Sequence, residues 1–97
     1  MVVLEQPEVG AIELAGVLHA LSDPTRLEIV RGLDADGERQ CGSFDLGLTK
    51  ATRSHHFKVL REAGLTYTRV EGTARFVTLR REELDARFPG LLDAVTR

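Results

Sequence analysis

Cysteine is nearly absent from this 97-residue chain. Cys41 is the only one, so no disulfide can form within it, which fits a reducing compartment. No stretch approaches the ~18–20 continuous apolar residues that a membrane span requires. The first ten residues have neither a basic segment nor a long apolar run, so no signal peptide is predicted and a cytoplasmic location is expected. Repeats, low-complexity tracts and long Gly/Ser linkers are missing as well, and the length suits one domain over residues 1–97. A domain of this size buries only ~60–65% of its unfolded surface, so association with a second copy would add useful stability.

Catalytic machinery is also missing. There is no glycine-rich phosphate loop and no paired-carboxylate site. Ser54, His55 and Asp45 are the only candidates for a hydrolytic set, but Ser54 and His55 are neighbours on one predicted helix and project apart. No enzyme is expected. The adjacent His55 and His56 point about 100° apart on a helix, which does not suit joint metal ligation, and no metal or other cofactor is predicted.

What is present is a segregation of charge. The net charge is only −2, yet residues 1–48 carry nine acidic and three basic side chains. Residues 49–81 reverse this, with eight basic side chains (Lys50, Arg53, Lys58, Arg61, Arg69, Arg75, Arg80, Arg81) against Glu62 and Glu71. Such asymmetry points to a polyanionic partner, because the local field matters more than the sum.

The spacing of apolar residues predicts a first helix over 8–21, with Ile12, Ala15, Leu18 and Leu21 as its stripe. Asp23 and Pro24 form a cap and first turn for a second helix that presents Leu27, Val30 and Leu33 and ends near Gly32–Asp34. A short third helix is expected over 41–46. Thr49 caps a long helix running to Ala63, with Gly64 at its left-handed end and Leu65 making the accompanying apolar contact. The period then changes to that of strands on either side of Glu71-Gly72-Thr73-Ala74, which predicts a β-hairpin. Residues 82–95 return to helical spacing, interrupted at Pro89-Gly90. The expected class is mainly α with a small β-hairpin, a winged helix-turn-helix in the order α-α-α-α-β-β-α.

On the long helix, Arg53, Phe57, Leu60 and Gly64 fall within about 60° of one another and mark the core side. Ala51, Ser54, His55, Lys58 and Glu62 lie opposite. The first half of that outer face (Lys50, Ala51, Thr52, Ser54, His55) is small, polar or basic, as entry into a major groove demands. No acid occurs over residues 46–61, unlike an ordinary solvated helix. Lys58 lies within reach of a phosphate, and His56 turns toward the flank of the core. In the hairpin, Arg69 and Arg75 flank a tip of Gly72 and Thr73, which suits a minor groove and its phosphates. Solubility of the hairpin edge is the competing explanation for those arginines.

Leu21-Ser-Asp-Pro-Thr-Arg-Leu-Glu-Ile-Val30 and Lys50-Ala-Thr-Arg-Ser-His-His-Phe-Lys-Val-Leu-Arg-Glu-Ala-Gly-Leu65 strongly resemble the ArsR-like winged-helix repressors. The likeness covers roughly residues 12–80. It implies a homodimer joined by the first and last helices on an inverted-repeat operator, one recognition helix per half-site. Thr49, Lys50, Ala51, Thr52, Arg53, Ser54, His55 and Lys58, with Arg69, Gly72, Thr73 and Arg75, are then the DNA-binding candidates. Leu14, Leu18, Leu84, Phe88, Leu91 and Leu92 are the candidate dimer surface, closure of the monomer core being the alternative for each. Two departures from the family stand out. Cys41 lacks the nearby second cysteine of metal-sensing members, and a structural role is favoured over a redox one. Arg53 stands where relatives place an apolar residue. The leading function is a DNA-binding repressor with no identified effector; the alternative is a winged helix used to bind another protein without DNA.

Overall fold

The computed structural model describes residues 2–97. Its elements run β1 (Val2–Val3), a 3-10 turn (Val9–Ala11), α1 (Leu14–Leu21), α2 (Pro24–Asp36), β2 (Arg39–Gln40), a second 3-10 turn (Cys41–Ser43), α3 (Lys50–Glu62), β3 (Thr66–Glu71), β4 (Ala74–Leu79), α4 (Arg81–Arg87) and α5 (Leu91–Thr96). The winged helix-turn-helix class expected from the sequence is what the chain adopts.

Local chemistry explains most boundaries. The Asp23 carboxylate accepts the N–H groups of Thr25 and Arg26 at 2.8 and 3.1 Å, while Pro24 takes a first-turn position where no donor is needed. The Thr49 hydroxyl accepts the Thr52 N–H at 3.2 Å and opens α3. At the other end, Leu65 donates to the Leu60 carbonyl and Gly64 to that of Arg61, with Gly64 at φ +87°. These two bonds form a Schellman closure that turns the chain into the wing.

Three helix predictions need correction. The first helix begins at Leu14 rather than residue 8, because Ile12 and Glu13 are extended and Ile12 is inserted into the core. Its inward face is therefore Val17, Ala20 and Leu21; Ala15 and Leu18 are exposed. The second helix extends to Asp36, where Gly37 closes it by donating to Leu33. The third helix reduces to the single 3-10 turn over Cys41–Ser43, since Phe44 leaves in an extended conformation to pack on Phe57, ring centroids 5.6 Å apart.

β3 and β4 pair from Thr66↔Leu79 to Glu71↔Ala74 around the Gly72-Thr73 tip. Two short strands unforeseen in the sequence extend the sheet, giving the order β1-β3-β4-β2. The β1 edge is continued by Gln6, whose side-chain amide accepts the Thr68 N–H and donates toward the Thr68 carbonyl.

The core gathers Ile29, Val30 and Leu33 of α2, Phe57 and Leu60 of α3, Val77 and Leu79 of β4, and Leu84 and Leu92 of the final helices. The interruption at Pro89-Gly90 separates α4 from α5, as expected. Leu84 and Leu92, however, are 1% and 0% exposed within the single chain. They close its core and are not available as a dimer surface, a correction to the expectation. Arg31 donates to the Val95 carbonyl at 2.9 Å, tying α5 to α2.

Thr66 and Thr68 are also fully buried, and their hydroxyls have no hydrogen-bond partner in the described structure. Replacing an unsatisfied hydroxyl by a methyl of similar shape removes a desolvation cost of about 1–3 kcal/mol. Thr68→Val is expected to leave stability unchanged or raise it by about 1 kcal/mol, read as a higher denaturation midpoint at unchanged slope.

Candidate nucleic-acid interface

The outer face of α3 is arranged as the helical spacing predicts. Lys50, Ala51, Thr52, Ser54, His55 and Lys58 are exposed, Arg53 is half-buried, and Phe57 and Leu60 are buried. His56 turns inward, where its Nδ1 accepts from the buried Arg26 guanidinium at 3.3 Å; Arg26 also donates to the Ala20 carbonyl at 2.8 Å. Lys50, Arg53, Lys58, Arg61 and Arg75 form no ion pair among the described residues, leaving their charge uncompensated.

Strand register separates the two wing arginines that the sequence treats alike. Val70 pairs with Arg75 and Thr68 with Val77, so Arg75 is on the sheet face turned toward the helices. Arg69 pairs with Phe76 on the opposite face, its guanidinium 4.3 Å from the Phe76 ring centroid. There Arg69 is held by Glu38 at 2.7 Å and by Glu71, and Thr78 donates to the same Glu38. Thus Thr73 and Arg75 border the α3 side of the wing, Gly72 lies at its open tip, and Arg69 is engaged on the other face. Glu38, 31 residues before Arg69, was not among the candidates, and no local spacing signals such a pairing.

Arg80 and Arg81 also serve the fold. The buried Arg80 makes a two-pronged contact with Glu83 at 3.0 and 2.8 Å and donates to the Pro7 carbonyl. Arg81 sits among Asp34, Asp85 and Asp93. The positive balance of residues 49–81 therefore reduces, for an external partner, to the cations of α3 and Arg75.

Three carboxyls lie below their ordinary range: Asp23 through the Arg26 N–H, Glu38 through hydrogen bonding from Arg69, and Glu83 through hydrogen bonding from Arg80. A depressed carboxyl stabilises the fold above its unfolded pKa and loses that contribution as pH falls through its folded value. These three carboxyls should accordingly cost nothing above about pH 5 and should lower the melting temperature as pH falls below about pH 4. A scan in which acid raised it would contradict these pairings.

Burial raises the Cys41 thiol, against the opposing influence of the Arg75, Arg53 and Arg61 charges. Among the described residues, no three His, Cys, Asp or Glu side chains are grouped to hold a metal ion, and no helix is long and apolar enough to cross a membrane.

A capped helix with a cation-bearing hairpin beside it defines a winged helix-turn-helix. Known proteins agree. A helix-turn-helix domain model matches residues 21–68. The HTH-type transcriptional regulator YceK of Bacillus subtilis is 42% identical over 84 residues, covering 84% of each chain. The arsenical resistance operon repressor of Staphylococcus xylosus is 36% identical, over 75% of this chain and 71% of its own. Among solved structures, the transcriptional repressor BigR from Xylella fastidiosa superposes with a TM-score of 0.66 at 32% identity, covering 84% of this chain and 81% of its own. HlyU from Vibrio cholerae gives 0.67 at 29% identity, covering 84% and 85%. The chain belongs to the ArsR-like family of helix-turn-helix transcriptional regulators.

Proposed function

We propose that this regulator binds double-stranded DNA as a homodimer, one α3 in the major groove of each half of an inverted repeat, and represses by occupying a promoter. The observation that carries this reading is the outer face of α3, where small, polar and basic residues are exposed and no acid intervenes before Glu62. Thr49 to His55 read and anchor, Lys58 meets a phosphate, and the wing tip with Arg75 follows the adjacent minor groove. Repression is supported by two relatives that are named repressors.

For the dimer, α1 offers Leu14 and Leu18, 47% and 48% exposed, with Phe88 and Leu91 half-buried on the final segment. Apolar side chains at such exposure are what a second copy would cover.

Fluorescence anisotropy with a labelled duplex from upstream of the protein's own gene, against a scrambled duplex at two salt concentrations, tests the reading. Tighter binding to the upstream duplex is expected, with a log–log salt slope of about −0.9 per neutralised phosphate. Equal, negligible binding to both, with a partner protein co-purifying, would favour the interaction module instead.

A further inference from the structure

A cleft of about 480 Å³ lies between α3, the Cys41–Ser43 turn and the wing tip. Its lining includes Lys50, Arg53 and Ser54 from the reading helix, Thr73 and Arg75 from the wing, and Cys41 from the turn. No carboxylate lines it. That distinguishes it from the cleft beside the N-terminal arm, where Arg61 is accompanied by Glu5 and Glu62, and from the one where Arg80 faces Glu8 and Glu83.

We infer that this cleft is a phosphate-binding site, in which Lys50, Arg53 and Arg75 converge on one tetrahedral anion and Thr73 supplies a neutral donor. Three uncompensated cations around one concave space repel one another until an anion enters, and both guanidinium groups offer forked donors suited to phosphate oxygens. The half-buried Arg53, an anomaly on the core side of α3, thereby acquires a role: it lines the cleft from below. Cys41 adds no negative charge, because burial keeps its thiol protonated at neutral pH.

The phosphate can be a diester of the DNA backbone, held where the strand passes from reading helix to wing, or the monoester of a free small molecule that competes with DNA. The diester source rests on the DNA-binding reading above; the monoester source does not.

Cys41, the sole thiol of the chain, lines the cleft and reports its occupancy. Alkylation by iodoacetamide, followed by intact-protein mass spectrometry, should slow about tenfold or more when the site is saturated, as mass action requires of a blocked thiol. The ligands are the upstream duplex and inorganic phosphate, each against chloride at equal ionic strength. Protection by the duplex alone assigns a backbone phosphate. Protection by inorganic phosphate as well assigns a site that also takes free phosphate. In the Arg53→Gln/Arg75→Gln double variant the protection ratio should fall to about one, with the melting temperature checking that the fold is retained. No protection by phosphate or by a duplex that anisotropy shows to be bound overturns the inference while leaving the DNA reading standing. Protection by phosphate without DNA binding does the reverse. Undiminished protection in the double variant removes the cations from the site and also overturns it.

Discussion

Gly64→Ala is expected to destabilise the protein by about 2–5 kcal/mol, the largest effect of any glycine-to-alanine change among the described residues. Two costs combine. At φ +87° an L side chain pays about 1–2 kcal/mol for the left-handed conformation. The added Cβ would also stand 2.5 Å from Ile12 Cγ1 and 2.7 Å from its Cδ1. Ile12 is 1% exposed and cannot swing into solvent, so the core must shift, at about 1–3 kcal/mol. Gly72→Ala is the control. Gly72 also has a positive φ, 62°, but nothing lies within 4 Å of the added carbon, so only the conformational cost applies. Chemical denaturation of the two variants should separate them by at least about 1 kcal/mol. Equal losses would mean that Ile12 does not sit against the end of α3.

Ser54→Ala combined with His55→Ala is expected to give the largest loss of function for the least disturbance of structure. Both side chains are exposed on the first half of α3, and neither makes a hydrogen bond among the described residues. Stability should therefore change by no more than about 0.5 kcal/mol. In the groove, each well-placed base contact is worth about 1–3 kcal/mol, so the pair should lower affinity for the operator by at least about tenfold. Binding to a scrambled duplex, which depends on phosphate contacts, should hardly change, and the ratio of the two affinities should fall. Retained specificity in the double variant would place the reading element outside this face of α3. Lys58→Gln, by contrast, should weaken both duplexes alike and reduce the salt slope by about one.

What the sequence reveals and what it hides divide along a physical line. The long reading helix was legible because its signals are local: a Thr49 cap, apolar residues at helical spacing, and Gly64-Leu65 at the exit. The wing was legible from a strand period on either side of Gly72. The short helix over 41–46 was misread because its composition permits a helix, while the observed turn is set by Phe44 packing on Phe57 thirteen residues away. The start of α1 failed for a similar reason, since Ile12 leaves the helix to meet Gly64. Charge was the least legible property. Counting residues 49–81 gave the correct sign, but Arg69, Arg80 and Arg81 are committed to Glu38, Glu83 and a group of aspartates. Only the strand register distinguishes Arg69 from Arg75. The candidate dimer residues divided in the same way: exposure leaves Leu14 and Leu18 available, whereas the fold consumes Leu84 and Leu92.

The placement of Leu84 and Leu92 inside the core bears on how the protein comes to be active during synthesis. A nascent chain that has produced only the reading helix and the wing holds every residue proposed to touch DNA, but not the side chains that complete the packing beneath them. Until α5 emerges and Arg31 meets Val95, the surface of α2 that α5 covers faces water. The surface proposed to read DNA should therefore gain a fixed shape only after translation has passed residue 95, so that shorter products bind DNA poorly.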